Sequence, residues 1–161
     1  MAELRFIQDF PAKGVKFIDI SPKLTDKNDF KKIIEEMTSK VPANTDFIIA
    51  PESRGYIFGT AMAIALDVGF VPIRKPGKLP EDLVITAEYE KEYGKDTLCL
   101  PTNENYKGKN FYFVDDVLAT GGTLNAAKEL VEKAGGNFVG AGVYINIKAL
   151  NNLDVNNVEN L

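Results

Sequence analysis

The sequence predicts an α/β fold with a central, mainly parallel twisted sheet flanked by helices. Two stretches predict it. From Phe47 to Arg74, a short apolar run, a turn, an apolar helical stretch and a second apolar run follow in order. From Phe111 to Ile147, strand, turn, helix and strand recur in the same order. A strand–helix–strand crossover of this kind makes its two strands parallel and buries them under the helix.

Residues 1 to 25 read as an irregular N-terminal segment punctuated by Pro11, Gly14 and Pro22. Phe30, Ile33, Ile34, Met37 and Val41 then recur at helical spacing. They predict an amphipathic helix from about Asn28 to Lys40, with Asp26 or Asn28 as cap and Pro42 just beyond its end. Phe47 to Ala50 is a buried strand, and residues 51–55 (PESRG) form a turn. Tyr56 to Val68 is apolar nearly all round, as a buried helix is, and Phe70 to Arg74 is the next strand. Residues 75–96 are charged and carry Pro76, Gly77, Pro80 and Gly94. A connection this long inside one domain reads as a mobile lid loop. Thr97 to Leu100 is a short strand, and 102–110 is an Asn-rich turn. The strand beginning at Phe111 is expected to end at Val114, before Asp115 and Asp116. Its helix spans about 122–134 and stops at Gly135-Gly136. Phe138 to Ile147 is the last strand. The short C-terminal tail, 148–161, holds five asparagines and little apolar content, so loose order is expected there.

The chain of 161 residues fits one domain, 1–161, with a proper core. No apolar run is long enough to span a bilayer, and the N-terminus lacks the apolar stretch of a secretory signal, so no membrane partner is expected. The single cysteine, Cys99, excludes an internal disulfide and suits a reducing, cytoplasmic location. A net charge of −4 argues against general nucleic-acid binding. There is no histidine, which removes Ser-His triads, the common zinc sites and the usual general base. Proton transfer must then use Asp, Glu, Lys or Tyr.

The most informative run is residues 111–123, FYFVDDVLATGGT. A carboxylate pair, Asp115 and Asp116, stands beside a small-residue turn, Thr120-Gly121-Gly122-Thr123, that opens a helix. Such a turn can aim several backbone N–H groups at one anion, and the helix N-terminus adds partial positive charge. Hydroxyl acceptors at one end and a phosphate cradle at the other suit a ribose 5-phosphate. Of only three arginines, Arg54 and Arg74 fall in segments that suit phosphate, whose oxygens match the guanidinium fork.

VDDVLATGGT resembles the phosphoribosyl-pyrophosphate (PRPP) motif of the type I phosphoribosyltransferases. FIQDFPAKGVKFIDISPKL, ESRGYIFG, GFVPIRKPGKLP and YEKEYGKD resemble segments of the branch that acts on adenine, in the same order, from about Phe6 to Ile147. The resemblance implies that family's fold, with residues 1–25 as a small hood, and a homodimer. It implies transfer of phosphoribosyl from PRPP to adenine, giving AMP and pyrophosphate in purine salvage. The 5-phosphate falls on Ala119, Thr120, Gly121, Gly122 and Thr123, and the ribose hydroxyls on Asp115 and Asp116. Mg²⁺ is the implied cofactor; it arrives with the pyrophosphate near that pair, with no dedicated protein cage. Ser53, Arg54, Arg74, Lys75 and Lys78 are implied for pyrophosphate, with a strained or cis non-proline peptide at or beside Ser53-Arg54. Arg74 can also serve a neighbouring subunit's site. Phe17 and Val117 resemble the pair that sandwiches the base, and the backbone near residues 15–18 reads its edge. Many relatives have Arg where this chain has Ile18, so base choice follows the backbone alone or depends on that side chain. Glu92 is implied as the proton handler and Tyr93 as its neighbour over the reaction centre. Two other readings stand beside this one: the same transfer to hypoxanthine, guanine or xanthine, and a non-catalytic PRPP sensor. The intact lid carboxylate and the lack of an added module speak against the sensor.

Overall fold

A computed structural model describes residues 3–91 and 94–161. The chain divides into two compact units, residues 1–36 and 37–161, with the division inside the second helix.

In the first unit the stretch expected to be irregular contains an antiparallel hairpin. Strand β1 (Arg5–Gln8) pairs with β2 (Lys16–Asp19), Arg5 opposite Asp19 and Gln8 opposite Lys16. Lys16-Phe17-Ile18-Asp19 is short and does not alternate apolar with polar, so the turn residues dominate a reading of the sequence. Asp9, at φ 57°, receives a hydrogen bond on its carboxylate from Gly14 N (2.6 Å), which closes the connection between the strands. A short helix α1 (Ser21–Thr25) follows, with Pro22 in its first turn. Helix α2 (Lys27–Ser39) starts where expected: Asp26 Oδ1 accepts from the N–H groups of Asn28 (2.9 Å) and Asp29 (3.0 Å), so Asp26 is the cap.

The second unit is built on a five-stranded, all-parallel sheet in the order β4-β3-β7-β8-β9. Strand β3 (Phe47–Pro51), helix α3 (Arg54–Leu66) and β4 (Gly69–Ile73) form the first crossover. Strand β7 (Asn110–Leu118), helix α4 (Gly122–Lys133) and β8 (Asn137–Asn146) form the second. Strands buried on both faces read as continuous apolar runs, and Ile48, Ile49, Phe111, Phe113, Val143 and Ile145 are at most 1% exposed. Tyr112, wholly buried, passes beneath Gly140 and Gly142, where any Cβ would meet its ring or hydroxyl.

Three expectations are corrected here. First, β7 does not stop at Val114 but continues through the carboxylates to Leu118, pairing Asp115 with Val143 and Val117 with Ile145. The apolar Val117 and Leu118 keep the ladder going. Second, residues 75–96 are not one irregular loop. After a 3₁₀ turn at Glu81–Leu83 they enter an antiparallel hairpin, β5 (Val84–Lys91) and β6 (Gly94–Pro101). Ala87, Leu98 and Leu100 face the core from it, an alternation masked in sequence by the intervening charges. Arg74 and Cys99 exchange backbone hydrogen bonds of 2.8 Å in both directions, which ties β6 to the end of β4. Third, the tail is ordered as an edge strand. β9 (Asn156–Asn160) adds parallel to β8, Asn156 Nδ2 donates to the Tyr112 hydroxyl (3.0 Å), and the Tyr144 hydroxyl donates to Glu159 Oε1 (2.8 Å). Side-chain hydrogen bonds supply what its low apolar content does not. No helix among the described residues is long and apolar enough to cross a membrane.

Candidate active site

Chain order runs from β3 outward to β4 and then back to β7 on the other side of β3. The strand order therefore reverses between β3 and β7. In open parallel sheets the crevice outside the carboxyl ends of the strands at such a reversal is where ligands bind. Here the ends of β3 and β7 bring together the two loops singled out in the sequence.

The end of β3 supplies Glu52, Ser53 and Arg54. The Glu52–Ser53 peptide is cis, beside the position where the sequence places it. Ser53 precedes α3, and Arg54 is its first residue. Arg54 Nε stands 2.7 Å from Asp116 Oδ2, a close ion pair joining the two strand ends. The first turn of α3 also comes against Asp115. A Cβ on Gly55 would stand 3.0 Å from Asp115 Oδ1 and 2.8 Å from Pro51 Cδ, so only glycine admits this approach.

The end of β7 supplies the carboxylates. Successive strand residues point to opposite faces, so the two are not equivalent. Asp116 is 4% exposed and holds Arg54. Asp115 accepts a hydrogen bond from Asp116 N (2.8 Å). Burial, and then the charge of Asp116, push the Asp115 carboxyl well above its ordinary range. Beyond Leu118, residues 119–121 turn into α4. Gly121 sits at the N-cap position with φ 89°, a left-handed conformation that favours glycine. Thr120 and Thr123 border the same turn.

Two cavities meet at this strand end. One, of about 470 Å³, is lined by Asp115, Val117 and residues 119–123. The other, of about 360 Å³, is lined by residues 52–54, Lys75 and both aspartates. They share Asp115, Val117, Thr123 and Tyr89 and so form one cleft. Lys75 N donates to Glu52 Oε1 at 2.6 Å, and Arg74 Nε lies 3.4 Å from the same oxygen. These contacts, the Lys75 N–H first, hold the Glu52 carboxyl below its ordinary range. Glu52 thus serves Arg74 and Lys75. Arg74 and Lys78 line neither cavity, and Lys78 is exposed. Phe17 and Ile18 lie on β2 in the first unit, Phe17 edge-on to Phe10 at 5.1 Å between ring centroids. Glu92 and Tyr93 lie outside the described residues.

Two cleft residues have no role assigned by the sequence. Tyr89 packs its ring on the glycine turn, where a Cβ on Gly122 would stand 2.8 Å from Tyr89 Cδ2, and its hydroxyl donates to Asp96 Oδ2 (3.2 Å). Leu150, from the tail, lines the larger cavity. Both come from segments read as loop or loose tail, Tyr89 on strand β5 and Leu150 in a short 3₁₀ turn after β8.

Comparison with known proteins agrees with this geometry. Residues 22–157 match the phosphoribosyl transferase domain. The chain is 46% identical over 159 residues to an adenine phosphoribosyltransferase of Thermosipho africanus, a match spanning 98% of this chain and 93% of that one. The crystal structure of adenine phosphoribosyltransferase from Thermoanaerobacter pseudethanolicus is similar with a TM-score of 0.90 at 40% identity, covering 98% of this chain and 95% of that one. The Saccharomyces cerevisiae enzyme of the same name, complexed with an imino-altritol bisphosphate and adenine, gives a TM-score of 0.82 at 37% identity, covering 96% and 92%. On the domain match and on these relatives, the chain belongs to the phosphoribosyltransferase family, in company with the adenine phosphoribosyltransferases.

Proposed function

We propose that the protein transfers the 5-phosphoribosyl group of PRPP to adenine, giving AMP and pyrophosphate. The observation that carries this reading is the single cleft at the sheet's reversal point. There a glycine turn at a helix start, a carboxylate pair and a cationic loop lie side by side, in the order that a phosphate, a diol and a pyrophosphate on one ligand would need.

In this reading the amides and hydroxyls of residues 119–123 hold the 5-phosphate. Asp115 and Asp116 accept from the ribose hydroxyls, and Arg54 and Lys75 face the pyrophosphate, with Ser53 offering N–H and hydroxyl. Arg74 and Lys78 are the further cations assigned to the pyrophosphate by the resemblance, although neither lines the cleft. The bond from the anomeric carbon to the pyrophosphate oxygen breaks, positive charge develops on the ribose, and a ring nitrogen of adenine bonds to that carbon as its proton departs. Glu92 takes that proton, with Tyr93 beside it. Val117 lines the cleft and offers a face to the base, and the resemblance assigns Phe17 and the backbone near Ile18 to base recognition. The chain's contribution is orientation, charge compensation and exclusion of water.

The residues fit a substrate-borne Mg²⁺. Among the described residues no cluster of three or more Asp, Glu, Cys or His offers an all-protein cage, whereas the adjacent carboxylates provide the hard oxygen donors such an ion accepts alongside waters and substrate oxygens. When bound, Mg²⁺ neutralises charge on the pyrophosphate as it leaves.

The homodimer and cytoplasmic location belong to the same proposal. On α3, Ile64 is 84% exposed and Ile57 38%, an apolar face that a second copy would cover. Cys99 is a buried free thiol, in keeping with a reducing compartment.

The test is product formation from labelled adenine and PRPP with Mg²⁺, and hypoxanthine as control. Labelled AMP from adenine alone supports the reading; turnover of hypoxanthine in preference would transfer the assignment to another base. Glu92→Leu should reduce turnover by at least about a hundredfold while leaving PRPP affinity within a few-fold. Near-normal turnover would remove Glu92 from its role.

A further inference from the structure

The turn at residues 119–121 is not held by its own loop alone. The C-terminal tail reaches it from outside. Asn151 Nδ2 donates to Ala119 O at 2.7 Å, and the same nitrogen lies 3.0 Å from Asn146 Oδ1 and 3.2 Å from Ile147 O. Asn151 Oδ1 in turn accepts from Leu153 N at 3.1 Å. Leu153 then fills the space a Cβ on Gly121 would need and packs against the core. Asn146, at the end of β8, is 2% exposed. One amide thus joins the end of β8, the tail and the first residue of the glycine turn, and the neighbouring leucine closes on the turn's left-handed residue.

We propose that Asn151, assisted by Leu153, is a positioning residue for the phosphate-binding turn: the tail sets the backbone of residues 119–121 so that its N–H groups converge on the ligand's phosphate. The proposal rests on the reading of residues 119–123 as the 5-phosphate site. Its physical ground is geometric. Three acceptor oxygens face one amide nitrogen, so the site requires a donor there and rejects an acceptor. A turn that cradles an anion loses affinity when its amides diverge by small amounts, because the ligand's fixed oxygens must find all of them at once.

Calorimetric titration of ribose 5-phosphate and, separately, pyrophosphate into the full chain and three variants tests it. Asn151→Ala removes the donor and should weaken ribose 5-phosphate binding about tenfold. Asn151→Asp is of the same size but turns a carboxylate toward three oxygens, and should weaken it further. Leu153→Ala should cost a few-fold. Pyrophosphate, assigned to the Arg54 and Lys75 side of the cleft, should change by less than about twofold in all three. Equal losses for both ligands would mean a merely structural tail and would overturn the proposal, as would unchanged ribose 5-phosphate affinity. Should an Asn151 variant melt below the working temperature, Leu153→Ala and the same two ligands decide the matter. If the unmodified chain itself fails to bind ribose 5-phosphate, the phosphate-site reading falls and the positioning role falls with it.

Discussion

Asp115 and Gly55 meet where the end of β7 comes against the first turn of α3. Asp115 is a half-buried carboxyl beside a second carboxylate, and desolvation and that neighbour raise its pKa above the ordinary value of 3.8. Below that value it is protonated folded and unfolded alike, and stability is undiminished. As pH rises through the folded pKa, the native state must give up a proton it holds more tightly than the unfolded chain does, and stability falls. Asp115→Asn should therefore raise Tm at pH 7, by about 3 °C for each kcal/mol recovered in a chain of this size, with the gain vanishing toward pH 3.8. Melting curves across pH check it, and a Tm gain independent of pH would contradict it. The same substitution should weaken ribose binding. Gly55→Ala should destabilise by about 1–3 kcal/mol, because the new methyl meets a proline ring and the Asp115 carboxylate, neither of which can retreat; denaturant midpoints measure it. The sequence names Asp115 and Asp116 at once, since two adjacent acids on an apolar strand have few bland explanations. It is silent on Gly55 and on Tyr89, whose meaning lies in contacts between distant segments.

Helices and buried strands were readable because their apolar periods are long and unbroken: α2, α3 and α4 start and stop within a few residues of the sequence expectation. The hairpins β1–β2 and β5–β6 were not, because short strands with one polar face are hidden by charged residues and by flanking Pro and Gly. The β5–β6 hairpin is also strapped to α4: Lys133 Nζ donates to Thr86 O (2.9 Å) and pairs with Glu129 (2.6 Å). Lys133→Met should speed amide hydrogen exchange across residues 84–91 and 94–101 while changing global stability by no more than about 1 kcal/mol, since the contacts are half-exposed. Exchange rates unaltered in the hairpin would mean that Lys133 is not its tether. The tail escaped the sequence for a related reason. Five asparagines look like disorder in composition, yet Asn151 and Asn156 act as cross-links whose partners no local pattern reveals.

At the level of the whole molecule, the topology makes the cleft. A parallel sheet that reverses its order between β3 and β7 leaves a crevice at the strand ends, and the glycine turn, the carboxylate pair and the Arg54 loop are placed there by the chain's own order of elements. The same chain exposes an apolar face on α3. If the proposed homodimer uses this face, Ile64→Glu should shift the species seen in sedimentation toward monomer with little effect on folding, and an unchanged distribution would contradict that use of the face. The central claim is the assignment of the two halves of the cleft, and a crystal of the protein soaked with AMP tests it most directly. The account predicts the 5-phosphate within hydrogen-bond reach of the backbone of residues 120–123 and the ribose hydroxyls on Asp115 and Asp116. A nucleotide bound elsewhere, with this cleft empty, would contradict it.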